Sequence, residues 1–410
     1  MPVLAELDRS KVVDVDLGSS EFKQNARTAL AEWARRPPFY VLSNGPPQVI
    51  CGRYADVHEV FSDPVRFSSE VPRTGRGYEQ FDKFMGVEII AQMDGERHAR
   101  IRRLLMPAFS SRSMARIETR LTEIIEGMLD GIERRGNAFD GMQDYGAQLV
   151  VGALLTAMVN LDERRKATFL AFHEVLPLTT YTKPGENFPP ECVRAYDSAA
   201  ELVEEIIAER RASPGPDIIS ALIQARDQDD KLSHKELFDQ VFTLCGAALS
   251  ATSRAAGGAL LMLYTHPEQR AELIRRPELI PDAVEECLRI AGNGYFTFPR
   301  LATCDTAVGG TDIFKGMVVR PSPQAANYDP GVFPDPLRFD IHRHPKRILA
   351  FGAGPHHCIG NILGRAAITI AIRRLLARFP KARLADPNFK PVYGGAVGEL
   401  RLQSLPMVIQ

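Results

Sequence analysis

Charge imbalance is missing from this 410-residue sequence: 50 Lys and Arg stand against 51 Asp and Glu, a formal net charge of −1. So balanced a chain has no bulk attraction for nucleic acid or for an anionic membrane. Cysteines are few, six in all (Cys51, Cys192, Cys245, Cys287, Cys304 and Cys358), and no two form a C-x-x-C pair. This argues against a zinc knuckle or a thioredoxin-like redox pair, and the wide irregular spacing is unlike a disulfide framework. Long apolar runs are also lacking. The opening MPVLAELDRSKVVDVDLG carries acids early and has no stretch suited to a signal peptide or a membrane span. A soluble, cytoplasmic protein is expected, with no membrane and no nucleic acid among its partners. Internal repeats, low-complexity segments and linkers are missing as well. One domain over residues 1–410 is therefore expected, and a hydrophobic fraction of 45% is ample for its core.

What is present reads mainly as helix. In ERHARIRRLLMPAF (96–109), Ile101, Leu104, Leu105 and Ala108 share one face, with His98, Arg102 and Arg103 around it. Helical periods follow at roughly 115–135, 140–160, 163–176, 194–212, 234–264 and 359–379, and KPGENFPP (183–190) breaks the series. Three stretches read as β: roughly 38–53, with Asn44-Gly45 as a turn, 306–322, and 385–410. The fold class expected is mainly α with small peripheral β-sheets.

The chemistry concentrates in Phe351-Gly-Ala-Gly354-Pro-His356-His-Cys358-Ile-Gly360, which runs into a helix. A Gly-rich loop lets backbone approach a flat ligand closely. A cysteine just before a helix has its thiolate stabilised by amides and by the helix dipole. An ordinary buried cysteine would be the bland reading of Cys358 alone; the string as a whole is not ordinary. It resembles the haem-binding loop of the cytochrome P450 family, F-G-x-G-x-[HR]-x-C-x-G, at every fixed position. Glu286-Cys-Leu-Arg289 resembles that family's E-x-x-R pair, and Pro336-Leu-Arg338-Phe339 its P-x-R-F segment. Residues three apart share a helix face, so the first pair can form a bidentate ion pair. Alone it would read as a surface pair.

The resemblance extends from about Tyr40 to Pro406 and implies a helix-rich triangular prism around a buried haem b (iron protoporphyrin IX). Cys358 is then the axial iron ligand, whose thiolate favours O–O cleavage. Phe351 and Gly360 frame the loop, and His98, Arg102, Arg300 and His356 serve the haem propionates. Arg338 completes the Glu286–Arg289 pair. Arg97, Arg100, Arg103, Arg343, Lys346, Arg347 and Arg365 would flank the thiolate side, where charge could steer an acidic iron–sulfur ferredoxin; a charge run is otherwise a solvated face. NAD(P)H would enter only indirectly, through that ferredoxin and its reductase.

The family's central helix carries [AG]-G-x-[DE]-T-[ST] across the oxygen site. Here the stretch is Gly246-Ala-Ala-Leu-Ser250-Ala251-Thr252-Ser253. One register puts Thr252 at the alcohol position. The other, on which the counts forward from Ser233 and back from Pro267 agree, puts Ser250 at the acid and Ala251 at the alcohol. One residue of shift turns a side chain by about 100°, and a π-bulge could bring Thr252 back. In either register the carboxylate is missing.

The resemblance places the distal pocket at Tyr78, Phe81, Phe84, Met85, Val87, Leu244, Ala247, Ala248, Ala251, residues 293–298 (Phe296 among them) and Val397; each alone would read as core. A small-to-medium hydrophobic substrate follows. The expected activity is insertion of one oxygen atom of dioxygen by a monomeric monooxygenase. A haem-thiolate enzyme of other chemistry (peroxide-driven oxidation or oxidative coupling) and a non-catalytic haem binder are the alternatives.

Overall fold

The computed structural model describes residues 6–42, 46–71, 89–149, 155–175, 188–225, 230–292, 294–395 and 397–410, with backbone alone at 111, 112, 163, 173 and 246–250. The Asn44-Gly45 turn and the pocket residues Tyr78, Phe81, Phe84, Met85 and Val87 lie outside the described residues.

Helices α1 (Ser20–Trp33) and α2 (Tyr54–Ser62) precede α3 (Gly95–Leu105), α4 (Ser111–Arg135), α5 (Glu163–Val175), α6 (Pro190–Ala212) and α7 (Ile218–Gln224). Then follow α8 (His234–Thr265), α9 (Pro267–Arg275), α10 (Ile280–Ile290) and α11 (Asn361–Arg378). The expected 96–109 helix ends as α-helix at Leu105 and continues as a 3₁₀ turn, Met106–Phe109. Over the 140–160 pattern the described residues 141–149 and 155–159 are helical, opening with a π-helical turn, Gly141–Gly146, and ending in Thr156–Val159. Helix α1 is absent from the sequence reading. Its buried stripe is Phe22, Lys23, Ala26, Leu30, Ala31 and Trp33, and the alanines and the buried lysine mute its hydrophobic period.

Helix α8 crosses the molecule and packs on α5, α6, α10 and α11. Its start is fixed by a capping box: the Glu236 amide donates to Ser233 Oγ (3.2 Å) and the Ser233 amide to Glu236 Oε2 (2.7 Å). Helix α11 buries Leu363, Ala367, Ile368, Ala371, Ile372, Leu375 and Leu376, largely against α4, whose Leu121, Ile125, Leu129 and Ile132 repeat at helical spacing.

A five-stranded sheet has the order β1 (Phe39–Val41), β2 (Gln48–Cys51), β8 (Val318–Pro321), β5 (Arg300–Ala302), β3 (Phe67–Ser68). It is antiparallel except for β2 and β8, which run parallel with Ile50 opposite Arg320. Strands β6 (Thr306–Val308) and β7 (Thr311–Ile313) form a ribbon. Strand β12 (Pro406–Val408) lies between β4 (Ala138–Asp140) and β9 (Arg383–Leu384), and β10 (Tyr393–Gly394) pairs with β11 (Arg401–Leu402). The strands thus fall in the three expected stretches, with β3, β4, β5 and β9 as additions. One apolar core runs from Leu17 to Met407, and a second, smaller one lies beneath the five-stranded sheet. Among the described residues, no helix is long and apolar enough to cross a membrane.

Candidate active site

Cys358 lies three residues before α11, in a loop closed by the Cys358 amide donating to the Phe351 carbonyl at 3.0 Å. Gly354 has φ +66°, and a Cβ there would lie 2.3 Å from the Phe61 carbonyl oxygen, so the loop seats on α2 only with glycine. Of the six cysteines, Cys51, Cys192, Cys245 and Cys287 are buried, whereas Cys304 and Cys358 are exposed. Desolvation raises the Cys358 thiol above its usual range, opposed by the Gly360 amide and by the charges of Arg102 and Arg365. Cys245, with burial alone acting on it, is pushed up to about 12. Cys358 is therefore the cysteine that combines solvent access with groups favouring its thiolate.

Around it stand the four expected cationic positions. His98 and His356 have ring centroids 4.2 Å apart. His98 is buried and its Nε2 has no hydrogen-bond partner; burial, then His356 and Arg102, lower its pKa to about 4. Arg300 is buried and, among the described residues, donates to the carbonyls of Phe298 and Pro299 (both 3.2 Å); burial lowers its pKa to about 10. Arg102 donates to the His357 carbonyl at 2.9 Å, joining α3 to the cysteine loop. An orphaned buried ring nitrogen and a desolvated guanidinium both call for an anion between them. These residues fit a haem: Cys358 would hold the iron, and His98, Arg102, Arg300 and His356 are the expected partners of the propionates.

Asp94 escaped the sequence reading. It precedes α3 and accepts from Ser68 Oγ (2.6 Å), the Ser69 amide (2.7 Å) and His356 Nε2 (3.1 Å). Burial raises its pKa, but these bonds outweigh it and hold the carboxyl below its ordinary value. The available signal was an aspartate directly ahead of the helix that carries His98.

Behind the loop, Glu286 and Arg289 are wholly buried and bidentate, at 2.7 and 2.8 Å. The third arginine is Arg343, not Arg338. Arg343 Nε reaches Glu286 Oε1 at 3.1 Å, with its side chain only 12% exposed. Arg338 turns outward, 67% exposed, and pairs with Asp340 at 2.6 Å. The Arg338 carbonyl is what enters the cluster, accepting from Arg289 (3.3 Å) and Arg343 (3.1 Å). On the expected basic face several of the charges are already paired. Arg100 pairs with Asp230 and Glu236, Arg103 with Glu96 and Arg365 with Glu285, and Arg343 belongs to the buried cluster; Lys346 and Arg347 are exposed.

Helix α8 is α-helical at every residue from His234 to Thr265, so no π-bulge rotates Thr252. Ala251 and Thr252 are half-buried and Ser253 is buried. Leu244, seven residues before Ala251 and thus on nearly the same face, is half-buried as well. The side chains of Ala247, Ala248 and Ser250 are not described, and residue 293 lies outside the described set. Phe296 is partly buried against the core, while Val397 is 37% exposed at the edge beside Gly18.

Residues 23–391 match the family model "Cytochrome P450". The mycinamicin IV hydroxylase/epoxidase of Micromonospora griseorubida is 34% identical over 86% of each chain. The vitamin D(3) 25-hydroxylase of Pseudonocardia autotrophica is 32% identical over 96% of each. Among solved structures, cytochrome P450 CYP109Q5 from Chondromyces apiculatus superimposes with TM-score 0.84 at 28% identity, covering 96% of this chain and 98% of that one. The bacillaene polyketide synthase cytochrome P450 of Bacillus subtilis 168 gives 0.86 at 26% identity, covering 97% and 100%. The chain belongs to the cytochrome P450 family. It is a monooxygenase with that family's fold, and membership implies a haem iron.

Proposed function

We propose that this monooxygenase takes a small-to-medium hydrophobic substrate into a site bounded by α8, residues 294–298 and the tail near Val397, and draws electrons from a separate ferredoxin and reductase. The observation that carries the haem assignment is the convergence of an accessible Cys358 with buried, anion-seeking His98 and Arg300. When bound, the haem supplies activation of dioxygen. The chain's own residues do the rest. Cys358 would hold the iron as thiolate, with the Gly360 amide, Arg102 and Arg365 opposing the desolvation that raises its thiol. Arg300 and the histidine pair would orient the propionates, with Asp94 fixing the His356 ring. At the oxygen site Ser250, Ala251 and Thr252 offer two hydroxyls and no carboxylate, so ordered water or the substrate shares in proton delivery.

The relatives' names point to mycinamicin IV, nocardicin C and vitamin D(3), different molecules that do not select one substrate here. The test is a compound screen for spectral displacement of iron-bound water, followed by product analysis with NADH, ferredoxin and reductase in one arm and hydrogen peroxide alone in the other. Turnover only in the first arm supports the proposal. Turnover with peroxide alone favours the second reading, which rests on the missing carboxylate, and binding without product in either arm refutes catalysis.

A further inference from the structure

The central helix carries a charge that the oxygen-site pattern does not explain. Arg254 stands three residues after Ala251, about 60° around the helix. Its Nη1 donates to Glu399 Oε1 at 2.5 Å; the arginine side chain is 10% exposed and the glutamate 27%. Desolvation lowers the Arg254 pKa and Arg401 adds to this, while Glu399 opposes both. The pair therefore ties a buried helix charge to the turn that follows Val397.

That turn is clipped in turn to residues 294–298. The Gly398 carbonyl accepts from the amides of Tyr295 (2.9 Å) and Phe296 (3.2 Å). Gly294 has φ +139°, and a Cβ there would lie 2.4 Å from the Gly398 oxygen. Tyr295 donates its hydroxyl to the Leu17 carbonyl at 2.6 Å. Phe296 stacks on Trp33 with centroids 5.9 Å apart, and the Arg320 guanidinium lies 5.6 Å from its ring centroid. The strip then runs through Phe298, 46% exposed, to Arg300 beside the haem site.

We infer that Arg254 is a positioning residue whose ion pair with Glu399 holds the tail turn, and through the Gly398 carbonyl the 294–298 strip, in one register against the Ala251 face of α8. The shape of the substrate cavity wall is thereby set from the central helix. This rests on the haem-thiolate reading and goes beyond it. Loss of the pair leaves the fold and iron site in place but lets the wall sample other shapes. A ligand that needs the wall then binds more weakly by the fraction of time the wall is in order, and one that needs only the iron does not.

The test uses holoenzyme and two probes that coordinate iron through nitrogen, imidazole and 4-phenylimidazole, read by the shift of the Soret band. In Arg254→Gln, 4-phenylimidazole should bind roughly tenfold more weakly if the wall is ordered about a tenth of the time, with imidazole within about twofold. Amide exchange should accelerate in 294–298 and 397–401. Arg254→Lys, which keeps the charge, should recover most of the affinity. The double variant Arg254→Met/Glu399→Met removes both charges of the pair together and should reproduce the selective loss should Arg254→Gln fold poorly. Unchanged 4-phenylimidazole affinity with unchanged exchange, or equal weakening of both probes, overturns the inference. Failure of imidazole to shift the spectrum of the unmodified protein would overturn the haem-thiolate reading instead.

Discussion

Arg343→Ala should destabilise the protein by about 2–3 kcal/mol, whereas Arg338→Ala should cost about 0–1 kcal/mol. Arg343 donates to Glu286 Oε1 (3.1 Å) and to the carbonyls of Pro334 (2.5 Å), Asp335 (3.1 Å) and Arg338 (3.1 Å). A hydrogen bond to or from a charged group contributes about 1.5–3 kcal/mol, and bonds made by one side chain do not add in full. Glu286 keeps both bonds from Arg289 when Arg343 is truncated. The loss therefore stays below the roughly 3–5 kcal/mol of stranding a buried charge outright. Arg338 makes one exposed pair with Asp340, the kind that contributes about 0–1 kcal/mol. Unfolding entropy scales at about 2.1 cal/mol/K per residue, so in a chain of this length 1 kcal/mol moves Tm by roughly 1 °C. Thermal scans of the holoenzyme, with haem absorbance followed in parallel, should show about 2–4 °C lost in Arg343→Ala and under about 1 °C in Arg338→Ala. The reverse order, or equal losses, would refute the assignment of Arg343 to the buried cluster.

Other outcomes follow from the same geometry. Reduced protein treated with carbon monoxide should show the red-shifted Soret band of a thiolate complex, and Cys358→Ala should abolish it while replacement of Cys304 or any buried cysteine leaves it in place; a band that survives Cys358→Ala would falsify the ligand assignment. Gly354→Ala should cost about 2–5 kcal/mol, combining a left-handed conformation with a backbone clash, against about 1–2 kcal/mol for Gly352→Ala, whose Cβ would meet no described residue within 4 Å. Similar haem content in the two would argue against the close seat on Phe61. At the oxygen site, Ser250→Asp with Ala251→Thr should raise product formed per reductant consumed, and Thr252→Ala should change it little. Collapse of coupling in Thr252→Ala, with no gain from the double replacement, would make Thr252 the working alcohol.

The regular parts of this molecule were legible because their chemistry is local. The α8 start was written in Ser233 and Glu236, the Glu286–Arg289 pair in a three-residue helical spacing, and the cysteine loop in its glycines. Arg343 was not legible. The chain between Phe333 and His344 is irregular, with Asp335 and His344 at φ +47° and +48°, so linear position says nothing of where a side chain turns. The segment holding Arg338 does reach the cluster, but with its carbonyl. Asp94 and Arg254 were missed for a related reason: each acts on a partner far along the chain, His356 and Glu399, which no spacing rule connects. Helix α1 hid because its stripe is built partly from alanine.

The ion pairs of Arg100, Arg103 and Arg365 have a consequence for any electron carrier that docks by charge. Their positive ends are already held by Asp230, Glu236, Glu96 and Glu285 at 2.6–3.2 Å. An incoming carboxylate meets charges that are already partly offset, so it gains less here than beside an unpaired arginine. A carrier that used these residues would be selected by the geometry of its own carboxylates as well as by net charge, with a salt dependence set by how exposed each pair is.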